Sequence, residues 1–198
     1  MVFTKDDRHK NYTGEKKAFY RLPDGTRVTY KKQDDLDSWY GGARMLASFR
    51  GFEFGGTFLQ EKGRFARDDL DAYGYHLMAS YTFQAACKPR LAVEYSYASG
   101  DSNPNDGDHE TFQGAFGARC KMYGRMNLFH WRNLKDLEAN LQIKPFKWLH
   151  VKGELHKFQL AERKDAWYLN QKLYRDSTGC SGDDVGKEFD IVITCNLF

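Results

Sequence analysis

Alternation of apolar and polar residues is the feature that most constrains this 198-residue chain. In 137–143, every second residue is Leu, Ala or Ile, and the residues between them are Glu, Asn and Gln. Neighbouring side chains of a β-strand point to opposite faces, whereas residues i and i+2 of a helix lie on nearly opposite sides. The alternation therefore predicts strands with one apolar face. The segments that show it are 39–49, 52–58, 73–83, 91–97, 137–143, 149–155 and 189–195, with a short additional piece at 2–4.

The links between these strands are alternately short and long. The short links lie near 50–51, 84–89 and 145–148, and the long ones span about 6–37, 62–71, 99–133 and 160–186. In an antiparallel meander this places the long loops at one end of the sheet and the tight turns at the other, as in outer-membrane barrels. We therefore predict an all-β, antiparallel up-and-down fold of about seven or eight strands. It forms a single β-barrel domain over 1–198 or the C-terminal portion of one.

Composition narrows the class of protein further. Mean hydropathy is −0.73 although aromatic residues make up 16% of the chain, which fits either a soluble β-protein or a membrane β-barrel whose alternate residues are apolar. No apolar run is long enough for a transmembrane helix, and residues 1–10 lack the apolar core of a signal peptide. The net charge of +3, with both signs mixed along the chain, argues against a nucleic-acid partner.

The positions opposite the apolar ones are rich in charge. In a membrane barrel they would line a water-filled pore, and the apolar face with its terminal aromatic residues would meet lipid. In the alternative reading they form a cross-strand ion-pair network that fixes the register. The aromatic residues near the ends of the apolar face favour a transmembrane β-barrel. The predicted pore-lining residues are Arg44, His76, Arg90, Glu94, Asp136, Glu138, Lys152, Glu154, His156, Glu188 and Asp190.

One loop carries clustered oxygen ligands. Asp101, Asn103 and Asn105 follow the D-x-N-x-N spacing of a calcium loop, but the glycine comes one residue late and no glutamate follows at the bidentate position. A calcium ion in this external loop is one reading, and a turn-rich loop without a metal is the other. No other cofactor is expected.

The four cysteines have no zinc-like spacing. Cys120 and Cys180 both fall in long loops at the same end of the predicted sheet, which makes them candidates for a disulfide, with free thiols as the alternative. His150 and His156 lie about 20 Å apart along one strand, too far to share a metal. No nucleophile is placed beside a base by the sequence. We therefore expect no catalytic residues and no enzymatic activity.

Motifs in the C-terminal two thirds of the chain are similar to those of a known family. In chain order they are YASGDSNPNDG at 97–107, ETF at 110–112, YGRMN at 123–127 with Trp131 and Asn133, DAWY at 165–168, and the segment 175–190. Their order and spacing over roughly 68–198 resemble the alginate export family of outer-membrane β-barrels.

The resemblance implies a barrel of about 18 strands in the bacterial outer membrane, whose charged lumen passes an anionic, alginate-like polysaccharide. Because this chain supplies fewer strands, three arrangements stay open: a fragment of a larger barrel, half of a barrel completed by another chain, and a small closed barrel with a nearly filled interior. The expected function is an outer-membrane channel for an anionic polysaccharide or for small polar and anionic solutes. The alternatives are a structural scaffold barrel in an outer-membrane assembly and a soluble ligand-binding β-barrel.

Overall fold

The computed structural model describes residues 4–6, 16–21, 27–32, 36–65, 68–103, 106–114, 123–169 and 172–196. Every regular element in these ranges is a β-strand. The strands are β1 (Thr4–Asp6), β2 (Lys16–Arg21), β3 (Arg27–Lys32), β4 (Leu36–Phe49), β5 (Phe52–Phe65), β6 (Asp68–Thr82), β7 (Arg90–Ala98), β8 (Asp108–His109), β9 (Leu134–Phe146), β10 (Leu149–Gln159), β11 (Ala166–Leu169), β12 (Lys172–Arg175) and β13 (Asp184–Cys195). Within the described ranges, no helix is long and apolar enough to cross a membrane.

One antiparallel sheet contains all the long strands, in the order β1-β4-β5-β6-β7-β9-β10-β13. The short β8 pairs in parallel with the start of β6. Two further hairpins, β2–β3 and β11–β12, form separate two-stranded sheets. The expectation of an all-β, antiparallel up-and-down arrangement is confirmed. Because β1 and β13 stand at the two edges and do not pair with each other in the described part of the chain, closure into a barrel stays a prediction.

The seven longer predicted strands are all present, and most extend beyond the alternating segments. Of the short piece expected at 2–4, residues 2 and 3 lie outside the described residues, and β1 begins at Thr4. The largest difference from expectation lies between β5 and β6. β5 continues to Phe65 and β6 begins at Asp68, so the long link expected over 62–71 shortens to residues 66–67. At these strand ends both faces carry polar residues, so the alternation of apolar and polar residues did not predict them as strand. The other long links do lie at one end of the sheet, which we call the loop end, and the opposite end is the turn end.

A sheet of a soluble protein buries its apolar face and exposes its polar face. In this sheet the polar residues are buried and the apolar residues are exposed. On β9, Asp136, Glu138 and Asn140 are only 2%, 6% and 2% exposed, whereas the alternating Leu137 and Leu141 are 49% and 50% exposed. The same inversion occurs on β13, where Glu188 is buried and its apolar neighbours are exposed. We call the face that carries Asp136 the polar face and the opposite one the apolar face. Loop segments pack on the polar face, which explains why its charged residues are buried.

An aromatic core covers the loop end of the polar face. Phe112 and Trp131 come from the link that follows β7, and they meet edge to face with ring centroids 5.2 Å apart. Phe129 from the same link stacks on Phe158 of β10 at 3.8 Å between centroids. A Cβ atom at Gly74 of β6 would lie 2.9 Å from the ring of Phe112, so glycine is needed for this close packing. The loops thus bury apolar surface against a sheet face that is polar elsewhere.

Asn133 joins two of the loops at this end. Its amide nitrogen donates to the carbonyl oxygens of Glu162 and Ala166 at 3.0 and 2.9 Å, and its side-chain oxygen accepts from the backbone N–H of Glu162 at 2.7 Å. Asn133 has φ = 45°, a conformation that asparagine tolerates better than most residues. The link after β7 and the link after β10 are therefore tied together directly above the sheet.

Candidate functional site

The eleven charged residues that were expected to share one face of the sheet all lie on the polar face. Antiparallel pairing arranges them in rows that run across the strands. Within a row, successive residues are paired directly on adjacent strands, or one strand with an uncharged residue lies between them. From the loop end to the turn end the rows are Arg44–His76–Asp136, Glu94–Glu138–His156–Glu188, Glu154–Asp190 and Arg90–Lys152. Their role as a pore lining stays a prediction.

Basic and acidic residues pair along β6 and β7. His76 Nε2 lies 3.3 Å from a Glu94 carboxylate oxygen, and the other ring nitrogen contacts the Ser96 hydroxyl at 2.9 Å. Arg90 donates from Nε and Nη2 to one Glu53 oxygen at 3.2 and 3.1 Å. The first pair connects the neighbouring strands β6 and β7, and the second reaches across β6 to connect β7 with β5. Both pairs therefore support the strand register as well as place charge on the polar face.

A denser network covers β9, β10 and β13. Lys152 Nζ donates to Glu154 and, at 3.4 Å, to Glu138. His156 lies 1% exposed with Nδ1 3.0 Å from Asp136. Asn140 donates from its amide to Glu138 at 2.7 Å and to Glu94 at 3.0 Å, which joins this network to β7. The cross-strand ion-pair network that was predicted as the alternative to a pore lining is therefore present.

The edge of the sheet near β4 is more open. A cavity of about 240 Å³ lies on the polar face there, and Arg44 is exposed at its rim. Arg44 makes no ion pair with any residue that the structure describes. Gly55 faces this side of the sheet, and the absence of a side chain there leaves room for the cavity. Its lining combines cations, a carboxylate and small residues: Arg44, Leu46, Gly55, Gly56, Thr57, His76, Met78, Arg90 and Glu94.

Arg125 is a polar-face residue that strand alternation did not identify, because it belongs to a loop. Its Nε donates to Glu154 Oε2 at 2.9 Å and its Nη2 donates to Glu154 Oε1 at 3.3 Å. The signal that pointed to this segment was the YGRMN motif at 123–127, which carried part of the family resemblance. The loop therefore brings a cation to the most acidic part of the sheet.

Asp165 organises the loop end. Its side chain is fully buried and accepts hydrogen bonds from the link that follows β7 and from the β11–β12 hairpin. The donors are the backbone N–H groups of Asp101 and Ala166, the hydroxyls of Thr111 and Tyr168, and Nη2 of Arg175. Arg175 lies 2.6 Å from Oδ1, and this ion pair helps to keep the pKa of the Arg175 guanidinium above its usual value despite partial burial. The first residue of the DAWY motif is thus a carboxylate with a structural role.

The proposed calcium ligands are placed in part. Asp101 is 2% exposed and accepts the backbone N–H of Asn103 at 2.9 Å, as in an Asx turn. Burial raises the pKa of the Asp101 carboxyl to about 6. Asn105 lies outside the described residues. In the described part of the chain, no group of three or more His, Cys, Asp or Glu side chains is placed to hold a metal ion, and the calcium site stays a prediction.

The proposed disulfide also stays a prediction. Cys180 is exposed and carries a free thiol, and its expected partner Cys120 lies outside the described residues. Cys87 and Cys195 are likewise exposed free thiols.

The fold and the polar face together define a protein whose antiparallel sheet carries charge on its buried face and apolar side chains on its exposed face. A family model described as alginate export matches residues 6–197. The chain belongs to the alginate export family. The match begins well before the 68–198 range over which the motifs were recognised, so β2 to β5 belong to the same family domain. A search of curated proteins finds no match to the chain.

Substitution of Asp165 by Asn should destabilise the loop end. The amide nitrogen cannot accept a hydrogen bond, and the neutral side chain leaves Arg175 without its partner, so we expect a loss of about 3 kcal/mol in the free energy of unfolding. Urea titration of the detergent-folded protein measures the loss, and amide hydrogen exchange should show faster exchange at Asp101 and Ala166. Asp69→Asn is the control, because the pair between Asp69 and Arg64 is exposed and contributes below about 0.5 kcal/mol. Equal losses of unfolding free energy in the two variants would contradict the structural role of Asp165 at the loop end.

Substitution of Asp101 by Asn should remove a pH dependence. With a pKa of about 6 in the folded state and an ordinary value in the unfolded chain, the folded carboxyl retains a proton that the unfolded one loses between about pH 4 and 6. The parent therefore loses stability as pH rises through that window, by at most about 3 kcal/mol, and gains it back on acidification.

The Asn variant lacks this contribution, so its stability advantage over the parent should grow from near zero at pH 4 to a plateau above pH 6. Urea titrations at several pH values measure the difference. Asp106→Asn, in an exposed part of the same loop, serves as the control. A difference between the Asp101 variant and the parent that does not change with pH would refute the prediction.

Proposed function

We propose that the chain forms wall strands of an outer-membrane β-barrel channel that passes an anionic polysaccharide. The observation that carries the proposal is the inverted burial of the sheet, with carboxylates on the covered face and Leu, Ile and Phe on the exposed one. A sheet with this pattern is unfavourable in water, because contiguous exposed apolar surface of this size is rare on soluble proteins. It is favourable when the apolar face meets lipid and the polar face lines a wet interior. Membership of the alginate export family supports the same conclusion.

Aromatic residues at two levels of the apolar face support the membrane orientation. Near the loop end, Tyr73, Tyr75 and Tyr97 stack with centroids 5.5 and 5.1 Å apart. Near the turn end, Phe52 packs on Tyr81 at 4.5 Å. The eight steps from Tyr73 to Tyr81 span about 27 Å along the strand, or about 20 Å along the membrane normal at a tilt of about 40°, which is comparable with the roughly 25 Å apolar band of outer-membrane barrels. Aromatic residues of this kind are typical of the membrane–water interface.

Aliphatic side chains fill the band between these two levels. They are highly exposed on neighbouring strands, as expected for a surface in contact with lipid tails. The residues are Leu77, Val93, Leu137, Leu141, Leu155, Ile191 and Ile193, each 49–63% exposed.

The polar face suits an anionic polymer that must move. Arg44, Arg90 and Lys152 offer cations to carboxylates of the polymer, and neighbouring acids limit how tightly each cation binds. Passage through a pore requires favourable entry without a deep trap, which this mixture of charges provides. An unpaired strand edge is unfavourable in lipid, so the edges at β1 and β13 must be paired in the proposed channel, with each other in a small closed barrel or with strands outside the described residues or in another chain.

A charge placed on the apolar face should prevent insertion. Leu141→Arg puts a cation on the apolar face next to Leu91, and arginine on the lipid-facing side destabilises membrane barrels by up to about 2–4 kcal/mol at the bilayer midplane. Gln142→Arg is the matched control, because the next residue of β9 lies on the polar face. The fraction of protein folded into vesicles, measured by protease protection, should fall in the first variant and stay near the parent value in the second. Equal insertion of both variants would argue for a soluble sheet.

Planar-bilayer recording tests the channel itself. The folded, membrane-inserted protein should give conductance steps, and soluble oligouronates added to one side should reduce the current more than neutral oligosaccharides of the same length. Steps that are insensitive to both polymers would favour a channel for small solutes. Insertion without any conductance would instead favour the scaffold barrel, in which the loops and core at the loop end close the interior.

A further inference from the structure

Three lysines lie together on the apolar face of the sheet, at its loop end. Lys135 is the second residue of β9, Lys157 is the third residue from the end of β10, and Lys187 is the fourth residue of β13. Each is two residues away from an exposed leucine or phenylalanine of its own strand, so it belongs to the apolar face and not to the polar one. We call this group the lysine cluster.

Strand pairing brings two of these lysines directly opposite each other. Lys157 of β10 is the partner of Lys187 of β13, and on its other side it pairs with Leu137 of β9. Lys135 pairs with Gln159, two residues further along β10, so it is a diagonal neighbour of Lys157. Directly opposite side chains have Cβ atoms about 4.5–5.5 Å apart, and like charges at this separation destabilise a sheet. An anion bound between the lysines would remove this repulsion.

Other cations at the loop end of the apolar face have acidic partners. On β5, Lys62 Nζ lies 3.0 Å from a carboxylate oxygen of Asp71, and Arg64 Nε lies 3.8 Å from one of Asp69. Both acids come from the adjacent strand β6, directly opposite the cation that they pair with. The sheet therefore neutralises these cations from within, and the lysine cluster differs from them.

The lysine cluster has no such acid. Among the residues that the structure describes, no carboxylate forms an ion pair with any of the three lysines. The acid next to the cluster in the strand pairing is Asp184, opposite Gln159, and its carboxylate accepts the backbone N–H of Gly186 at 3.1 Å. Lys157 and Lys187 are exposed. The cluster is thus a patch of uncompensated positive charge that a ligand outside the sheet can reach.

The lysine cluster lies at the level where the apolar face would leave the membrane. Lys135 pairs directly with Tyr97, which belongs to the aromatic residues near the loop end. Below Lys187, the same face of β13 carries no charged residue down to Cys195, eight residues away. This is the separation that spans the apolar band on β6. At the membrane–water interface, a lysine stem covers apolar surface while its ammonium group reaches the lipid headgroups.

The chemistry of the outer leaflet matches the charge of the cluster. The long loops of outer-membrane barrels face the cell exterior, so the loop end meets the outer leaflet. Lipopolysaccharide, the glycolipid of that leaflet, carries phosphate groups on its lipid A headgroup. Phosphate accepts strong hydrogen bonds from several ammonium groups at once, and clusters of lysine at a membrane surface bind anionic headgroups. The polysaccharide of the proposed channel is not the ligand, because it passes along the other face of the sheet.

We propose that Lys135, Lys157 and Lys187 form a binding site for the phosphate groups of lipopolysaccharide on the lipid-facing side of the sheet. The inference rests on the membrane orientation in the proposed function and adds a ligand to the outer surface of the channel. Because the phosphate lies between two opposed lysines, it stabilises the pairing of β10 with β13, the strand at one edge of the sheet. The outer leaflet thus contributes to the stability of this edge.

Vesicles of defined composition test the site. The full chain is folded into phosphatidylcholine vesicles with and without a small fraction of diphosphorylated lipid A, and insertion is verified by protease protection. The urea midpoint of unfolding should rise when diphosphorylated lipid A is present. It should stay unchanged with lipid A from which the phosphates have been removed, and high salt should reduce the rise.

The double variant Lys157→Gln/Lys187→Gln reverses the sign of the effect. Without lipid A it should be at least as stable as the parent, because the repulsion between the two lysines is gone. With diphosphorylated lipid A its urea midpoint should no longer rise, and its affinity for fluorescent lipid A in detergent should fall roughly 30-fold. Lys157→Arg/Lys187→Arg keeps both charges and should keep the response.

Lys62→Gln is the matched control, because it removes one cation from the same face and the same end of the sheet. Asp71 already neutralises Lys62 in the parent, so this variant should keep the full response to lipid A. An equal response in the parent and in the double glutamine variant would overturn the site. A response to lipid A without phosphates, or an equal response to phosphatidylglycerol, would overturn the assignment to lipopolysaccharide phosphate.

The same experiment separates this inference from the proposed function. A parent that inserts into phosphatidylcholine vesicles but does not respond to lipid A retains the membrane orientation and overturns the lipopolysaccharide site alone. A parent that does not insert at all overturns the membrane orientation, and the site with it. Loss of a parent dimer in the double glutamine variant, without any lipid response in the parent, would assign the lysine cluster to a contact between copies and overturn the lipid ligand.

Discussion

Burial of carboxylates on one face of the sheet is the constraint on which the rest of the structure depends. A buried carboxylate is costly unless hydrogen-bond donors or cations surround it. Neighbouring strands supply some of these partners, as His156 does for Asp136 and Lys152 does for Glu138. Loops supply the others, most clearly Arg125 for Glu154. The same rule holds above the sheet, where Arg175 of β12 pairs with the buried Asp165. The long links therefore fold back over the sheet, and their aromatic residues pack on the loop end of its polar face.

This arrangement gives the protein two apolar surfaces with different purposes. The core at the loop end, which contains Phe112, Trp131 and Phe158, is covered by the protein's own loops. The apolar face of the sheet is not covered by any described segment, and its aromatic residues lie at two levels with aliphatic residues between them. The first surface holds the loops in place, and the second suits a lipid environment. A low mean hydropathy is compatible with both, since long polar loops and one polar face dilute the apolar residues.

The sequence allowed the sheet to be predicted well, because period-two alternation is a local property that needs no tertiary information. The eleven charged residues followed from the same alternation, and pairing placed them on one face. What escaped prediction depends on contacts distant in sequence. The ends of β5 and β6 carry charge on the outer side and so resemble a loop, and Arg125 and Asp165 acquire their partners only when the loops fold over the sheet. Family motifs marked both segments, but the motifs themselves did not reveal which carboxylate each loop contacts.

The two-residue link between β5 and β6 affects how the protein assembles. These strands pair continuously from Phe52 and Tyr81 to Phe65 and Asp68, so nearly every contact in this hairpin is between residues close in sequence. Short loop closures cost less entropy than long ones, and local pairings form faster than distant ones. The β5–β6 hairpin is thus a natural nucleus, to which β4 adds through its own tight turn. By the same argument, we expect the strands separated by long loops, β7 from β9 and β10 from β13, to pair later.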